Sequence, residues 1–285
     1  MTHAPAHFVD THQHLWVLSE RAYDWISPDF GVLYRDYRPE DVAAEVAQAG
    51  VTSTVLVQAA DTYDDTFYML SVERSVDTVR AVVGWVPFDR PHEAREALEL
   101  FSTHSAIKGY RNLTHKYPDP RWILQSLCSE TLSQIAQQGL SLDMVSVNSE
   151  HSRAIVELAD AHPDLKIVVD HMAKPDIAGK AWDEWASDMT ELAKRPNVYV
   201  KHSGLNTASA AGWTSADWQP YVDHCLEHFG SRRMMLGSDW PVSLLAGDFV
   251  GVWNAQLETI AGLSPDEQDD VCFKTAQSFY QLDLS

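Results

Sequence analysis

The chain alternates short apolar segments with longer stretches in which apolar and polar residues recur at helical spacing. Eight segments rich in β-branched and other apolar residues are predicted as buried strands. They lie at residues 8–12, 51–57, 79–86, 105–109, 140–145, 166–170, 197–202 and 234–238. Helix-length stretches separate most of them, the clearest at residues 40–49, 92–101, 123–138, 150–161 and 182–195. This alternation predicts an α/β protein with a parallel sheet.

The number of strand–helix units decides between a closed and an open sheet. Eight units in 285 residues match a (β/α)8 TIM barrel better than an open sheet. An open doubly wound sheet usually carries a glycine-rich phosphate turn after its first strand, and here His12-Gln13-His14 takes that place. No linker or low-complexity segment divides the chain. We therefore predict a single barrel domain over residues 1–285.

Composition limits the surroundings and partners of the protein. The net charge of −20 disfavours nucleic acid and anionic membranes, because both are bound by basic surfaces. No apolar run approaches the roughly 20 residues of a membrane span, and the first residues lack a signal-peptide pattern. The three scattered cysteines favour a reducing compartment without a disulfide framework. We expect a cytoplasmic protein with a small-molecule partner, and both a monomer and a homo-oligomer stay open.

The carboxyl ends of the predicted strands are rich in ionisable side chains. Active sites of (β/α)8 barrels form at that end. His12 and His14 are two residues apart on the first strand, so both side chains point to the same side. The other candidates share a position at or just after a strand end: Lys108, Arg111, Asp143, His171, Lys174, Lys201 and Asp239. Burying unpaired charges is costly, so this concentration predicts a functional site.

The cations among these candidates suggest the kind of ligand. Lys108, Arg111, Lys174 and Lys201 converge in a chain with only 21 lysines and arginines. They favour an anionic or oxygen-rich small molecule. The long first loop, residues 17–38, is rich in Tyr, Trp and Pro and is expected to form part of the pocket wall, with Trp25 near the mouth.

Each candidate also has a structural interpretation. A single strand histidine is more often a hydrogen-bonded core residue than a ligand, but the combination with His171 and Asp239 favours function. For Lys201 and Arg111, a plain salt bridge is as good an explanation as substrate binding. His202 neighbours Lys201 and should point away from it, toward the helix layer.

These residues carry a family resemblance that runs over nearly the whole chain. The sequence resembles the amidohydrolase superfamily (amidohydrolase 2 type), and within it the lactonase-like branch that includes L-fuconolactonase and L-rhamnonolactonase. The matching segments are VDTHQHLW (9–16), IKGYRN (107–112), IVVDHMAKP (167–175), NVYVKHSGL (197–205), LGSDWPV (236–242) and FKTAQSFYQL (273–282). HxH alone is a weak motif, but these motifs in this order are specific for the branch.

The resemblance implies a barrel enzyme that hydrolyses a sugar-acid lactone. His12, His14, His171 and Asp239 would be catalytic and would hold one divalent metal, zinc, with a metal-independent reaction as the alternative. Asp239 would be the general base, and His12 and His14 would polarise the carbonyl. Substrate contacts would come from Lys108, Arg111, Lys174, Lys201 and Trp25.

Three departures from the family pattern keep other functions open. The fifth strand carries Asp143 where the larger superfamily has a metal-binding histidine, Asn112 follows Arg111 where sugar lactonases usually have histidine, and His202 stands where leucine is common. The alternatives are hydrolysis of an aromatic-pathway dicarboxylate lactone, a metal-dependent decarboxylase and a non-catalytic binding barrel. The decarboxylase would need the missing fifth-strand histidine.

Overall fold

The protein forms a parallel eight-stranded barrel in the computed structural model, which describes residues 4–284. The strands follow one another around the sheet in chain order. They are β1 (Val9–Gln13), β2 (Ser53–Val57), β3 (Val79–Gly84), β4 (Ile107–Arg111), β5 (Ser141–Val145), β6 (Lys166–Asp170), β7 (Val198–His202) and β8 (Met234–Leu236). The barrel closes beyond β8, where Asp239 N donates to His12 O at 2.8 Å and His14 N donates to Trp240 O at 2.7 Å. The predicted (β/α)8 fold is confirmed.

Helices surround the barrel and connect its strands. They are α1 (Ala43–Gln48), α2 (Tyr63–Glu73), α3 (Pro91–Phe101), α4 (Ser126–Gln137), α5 (Ser149–Ala161), α6 (Asp183–Ala193), α7 (Ser215–Phe229), α8 (Phe249–Ile260), α9 (Pro265–Asp269) and α10 (Thr275–Tyr280). Gly50 follows α1 with a φ of 71°, as expected of a helix-terminating glycine. None of the described helices is both long and apolar enough to cross a membrane.

The strands are buried on both faces, which explains their nearly continuous apolar sequences. β4 begins at Ile107 and extends to Arg111, two residues beyond the predicted segment 105–109. The shift makes Arg111 a strand residue that faces the barrel interior. The cysteines Cys128, Cys225 and Cys272 are buried and free, which agrees with the prediction of a framework without disulfides.

Two segments cover the ends of the barrel. The first loop is joined at its base, where Trp16 N donates to Tyr37 O at 3.1 Å and Tyr37 N donates to Trp16 O at 2.8 Å. At the opposite end, Lys166 at the start of β6 donates to the carbonyl oxygens of Ser278 and Phe279 in α10. The chain therefore closes the barrel floor with its last helix and leaves the site at the other end.

Candidate active site

A cavity of about 280 Å³ opens at the carboxyl end of the barrel. One part of its wall is polar and the other part is apolar. The polar side chains include His14, Arg111, His171, Lys174 and Asp239. The apolar side chains include Trp25, Phe30, Leu33, Val242 and Leu245. The long first loop thus supplies part of the wall, as predicted.

A carboxylate surrounded by imidazoles forms the base of this cavity. Asp239 Oδ1 lies 3.8 Å from His12 Nε2, 3.7 Å from His14 Nε2 and 3.8 Å from His171 Nε2. His12 Nε2 and His14 Nε2 are 3.1 Å apart. His14 Nδ1 is 2.7 Å from Val57 O, so this nitrogen carries the proton and Nε2 faces the cluster as an acceptor. The structure therefore brings together all four predicted catalytic residues.

An unusual backbone turn places His171 and Lys174. Four successive residues, His171 to Lys174, have positive φ angles of 55°, 49°, 57° and 49°. Left-handed conformation costs roughly 1–2 kcal/mol for each non-glycine residue, so the turn needs support from its surroundings. Ser203 Oγ lies 2.8 Å from His171 Nδ1, and Trp185 Nε1 donates to Met172 O at 2.7 Å. These contacts hold the imidazole in the cavity and Lys174 at its rim.

Gly204 explains the glycine of the KHSGL segment. Its φ is 64°, a conformation that favours glycine. A Cβ atom at this position would lie 2.9 Å from His171 Nδ1 and 3.0 Å from Asp239 Oδ2. Both the backbone conformation and the close approach of the two site residues therefore require glycine here.

Burial controls the charge of the cluster. Desolvation raises the pKa of Asp239 to about 7, although Lys174 and Arg111 act in the opposite direction. Desolvation also lowers the pKa values of His12, His14 and His171 well below the usual histidine value. At neutral pH the imidazoles are neutral, and the carboxylate is close to the midpoint of its titration.

A second layer of charged residues lies beneath His12. Lys201 Nζ contacts Asp143 Oδ2 at 2.5 Å, Asp170 Oδ1 at 3.2 Å and His12 Nδ1 at 3.1 Å. Arg111 Nη1 lies 3.1 Å from Asp170 Oδ2, and Arg111 also donates to the carbonyl oxygen of Gln58. His12, Asp143 and Asp170 offer ligand atoms close together, but the Lys201 ammonium already contacts all three. This layer orients the site from below.

Two predicted substrate contacts are corrected by their positions. Lys201 is fully buried beneath His12 and does not line the cavity. Lys108 is also absent from the cavity wall, because its side chain alternates with that of Arg111 along β4. It shares a strand face with Tyr110, which lies near Phe101 in the helix layer. Strand alternation, rather than nearness to the strand end, decides this placement.

The other predicted residues line the cavity or point to the helix layer. Arg111, Lys174 and Trp25 all line the cavity. His202 points to the helix layer as predicted, with Nε2 2.9 Å from Thr259 Oγ1.

Sequence reasoning missed His115 and Lys116, which also line the cavity. They lie on a short 3-10 turn, Thr114–Lys116, several residues beyond the end of β4. A survey limited to the last strand residues could not find them.

The described residues fit a divalent metal ion at the base of the cavity. Three imidazole nitrogens and one carboxylate oxygen are a donor set that suits zinc, whose tetrahedral ligand atoms lie about 3.4 Å apart. The acceptor nitrogen of His14 faces His12 Nε2 at 3.1 Å, an arrangement that a shared cation would stabilise. Arg111 Nη1, 3.3 Å from His12 Nε2, competes for one of these nitrogens. His12, His171 and Asp239 each offer a ligand atom within 4.8 Å of the others. His14 Nε2 adds a fourth donor next to two of them, 3.1 Å from His12 Nε2 and 3.7 Å from Asp239 Oδ1.

The fold and the site together define a (β/α)8-barrel enzyme with an imidazole–carboxylate centre. Residues 9–282 match the family model described as amidohydrolase. The chain belongs to the amidohydrolase family and is a hydrolase. The resemblance inferred from its motifs is confirmed.

Known proteins similar to this chain include two named lactonases. An L-fucono-1,5-lactonase from Burkholderia ambifaria is 35% identical over 279 residues, covering 96% of both chains. An L-fucono-1,5-lactonase from Burkholderia multivorans is 29% identical over 255 residues, covering 85% of this chain and 84% of the relative. A crystal structure of an amidohydrolase from Burkholderia multivorans with bound zinc matches at a TM-score of 0.89 and 28% identity, covering 98% of this chain and all of that chain.

Proposed function

We propose that the protein hydrolyses the lactone of a sugar acid, similar to L-fuconolactone or L-rhamnonolactone, to the open-chain aldonate. The observation that carries the proposal is the Asp239 carboxylate, which lies within 3.8 Å of three neutral imidazoles at the base of a small cavity. The named lactonases among the relatives support the same reaction class. A role in cytoplasmic carbohydrate catabolism follows as part of this proposal.

Asp239 is the general base in the proposed reaction. Its carboxylate accepts a proton from water while the water oxygen attacks the lactone carbonyl carbon. Ring opening then breaks the bond between the carbonyl carbon and the ring oxygen. The ring oxygen takes up the proton held by Asp239 and leaves as a hydroxyl group. The products are the aldonate carboxylate and one released proton.

The charge that develops on the carbonyl oxygen requires stabilisation. Arg111 and Lys174 line the same cavity as Asp239 and supply positive charge. The lower layer holds Arg111 in place through Asp170, so its guanidinium is oriented before substrate binds. The neutral imidazoles His14 and His171 complete the polar wall.

We propose zinc as the divalent metal, held by His12, His14, His171 and Asp239. When bound, the metal would supply Lewis-acid polarisation of the carbonyl group. The zinc present in the similar crystal structure supports this choice. The alternative is a reaction without metal, in which Arg111 and the imidazoles polarise the carbonyl. Turnover measured with and without a chelator distinguishes the two reactions.

The cavity supports a substrate of monosaccharide size. Its volume of about 280 Å³ lies just below the usual range of about 300–1,000 Å³ for small-molecule sites. Lys174 and Lys116 are exposed at the wall, where they suit hydroxyl or carboxylate oxygens. Trp25, Leu33 and Leu245 provide an apolar surface for the carbon face of the ring.

Proton release by the purified protein tests the proposal. The panel contains aldono-1,4- and aldono-1,5-lactones and a dicarboxylate pyrone, each with and without a chelator. Turnover of an aldonolactone is the expected result. Activity on the pyrone alone would transfer the function to aromatic catabolism, and activity on no member would refute lactone hydrolysis within this substrate range. Loss of turnover with chelator and its return with zinc would support the metal.

A further inference from the structure

The cavity wall contains a histidine that the proposed reaction does not use. His115 follows β4 on the turn Thr114–Lys116 and lines the cavity beside Arg111. Its Nδ1 atom is buried and has no hydrogen-bond partner among the described residues. Because Nδ1 is enclosed, Nε2 is the ring nitrogen that a ligand in the cavity can reach, and it also forms no hydrogen bond with a described residue. A polar nitrogen left without a partner in a cavity wall is available to a ligand.

The turn that carries His115 is held firmly. Leu113 N donates to Asp61 Oδ1 at 3.0 Å, and Asn112 Nδ2 donates to Val86 O at 2.9 Å. Gln58 Nε2 donates to the same Asp61 oxygen at 2.8 Å. The segment from the end of β4 to His115 is therefore anchored to the strands on one side of the barrel, which keeps the imidazole at a fixed distance from the catalytic cluster.

The electrostatic surroundings keep this imidazole uncharged. Burial lowers the pKa of His115 to about 3, and the nearby cations Lys174, Arg111 and Lys116 act in the same direction. A neutral imidazole offers one N–H donor and one acceptor nitrogen. It therefore complements a hydroxyl group, whereas a substrate carboxylate is attracted to the neighbouring lysines.

We propose that His115 is a specificity-determining residue that forms a hydrogen bond with one ring hydroxyl of the lactone. This inference rests on the proposed function and assigns one polar contact of its substrate class. It predicts that the enzyme distinguishes a hydroxylated lactone from an analogue that lacks the contacted hydroxyl. The carboxyl end of the barrel thus divides its tasks, with hydrolysis at Asp239 and recognition of the sugar at His115.

The test compares the wild type with His115→Phe and His115→Gln on aldonolactones and on analogues that each lack one ring hydroxyl. A neutral hydrogen bond corresponds to roughly a threefold to tenfold change in kcat/KM. His115→Phe should lose this factor on the parent lactone. The ratio of wild-type to His115→Phe kcat/KM should be smaller on the one analogue that lacks the contacted hydroxyl. His115→Gln should retain part of the activity on the parent lactone. His104→Phe, on the turn before β4 at the opposite end of the barrel, is the matched control.

An equal loss on the parent and on every deoxy analogue would overturn the inference. If urea denaturation shows that His115→Phe is not folded, His115→Asn takes its place in the same comparison. Affinity for the corresponding aldonates is measured in parallel by calorimetry. If the wild type turns over none of the lactones, the result counts against the proposed function alone. A loss of affinity in His115→Phe that is confined to aldonates with one particular hydroxyl would still support the role of His115. Equal affinities, or no binding of any aldonate, would refute its role.

Discussion

The Nζ atom of Lys201 lies 2.5 Å from Asp143 Oδ2, and both side chains are fully buried in the barrel interior. Tyr280 donates its hydroxyl to the same carboxylate oxygen at 2.9 Å. This pair links β5 and β7 to the last helix of the chain. Because Lys201 also contacts His12 Nδ1, the pair connects the barrel floor to the imidazole–carboxylate cluster. Lys201, which was expected to bind substrate, therefore positions His12 instead.

Replacement of Lys201 by methionine should strongly destabilise the protein. The substitution leaves the carboxylates of Asp143 and Asp170 buried with less positive charge, and removal of one partner of a buried pair costs about 3–5 kcal/mol. Urea denaturation measures the change in the free energy of unfolding. Lys194→Met is the control, because the Lys194–Glu191 pair is exposed and contributes about 0–1 kcal/mol.

The double variant Lys201→Met/Asp143→Leu should be less destabilised than the sum of its single variants, because the two side chains interact directly. Additive effects of the two substitutions would show that the buried contact contributes little to stability.

Asp239→Asn should remove most of the turnover while leaving the fold intact. An amide cannot accept the proton of water, and a general base contributes about 10²- to 10⁴-fold to the rate. The expected result is a fall of at least about a hundredfold in kcat, with aldonate affinity changed much less. Steady-state kinetics and calorimetry measure the two quantities. A variant that retained near-normal kcat would exclude Asp239 as the base.

Gly204→Ala should lower kcat/KM in addition to destabilising the backbone. The new Cβ would meet His171 Nδ1 and Asp239 Oδ2 at 2.9 Å and 3.0 Å. Gly212→Ala is a matched control, since Gly212 also has a positive φ, of 80°, but a Cβ atom there would have no neighbouring atom within 4 Å. Both variants should lose on the order of 1 kcal/mol of stability from backbone strain. Only Gly204→Ala should lose kcat/KM, and equal kinetics for the two would contradict the steric argument.

The fold and the meeting of the imidazole–carboxylate cluster could be predicted because both depend on regular patterns. Strand-length apolar segments at regular spacing determine the barrel, and a parallel barrel brings all strand ends together. His12, His14, His171 and Asp239 each lie at or just beyond such an end. Their meeting therefore follows from topology, without knowledge of any loop.

The errors come from features that the pattern does not contain. Lys201 points inward as expected, but its depth in the barrel places it below the cavity, and sequence periodicity gives no depth. The left-handed turn from His171 to Lys174 contains no glycine, so nothing in its sequence signals its backbone conformation. His115 lies on a turn whose path is set by the contacts of Asp61 and Asn112, which are long-range.

The activity should rise with pH around neutrality in the metal-free protein. Burial raises the pKa of Asp239 to about 7, above the usual aspartate value. The general base works only when it is deprotonated, so kcat/KM should be low below pH 7 and reach a plateau above it. The profile of kcat/KM against pH in the presence of chelator measures the apparent pKa if the metal-free protein turns over, and carbon-13 NMR of the Asp239 carboxyl group measures it without turnover. A flat profile between pH 5 and about 8 would exclude this titration as the controlling step.

Addition of zinc should move this rise to lower pH. A divalent cation beside Asp239 favours the charged carboxylate and therefore lowers its pKa. The same profile is measured after chelator is removed and one equivalent of zinc is added, with His14→Ala as a variant that lacks one proposed ligand. The wild-type profile should shift toward acid, and that of His14→Ala should shift less. If zinc binds but leaves the wild-type profile in place, the metal does not lie against Asp239, and the proposed ligand set would have to be abandoned.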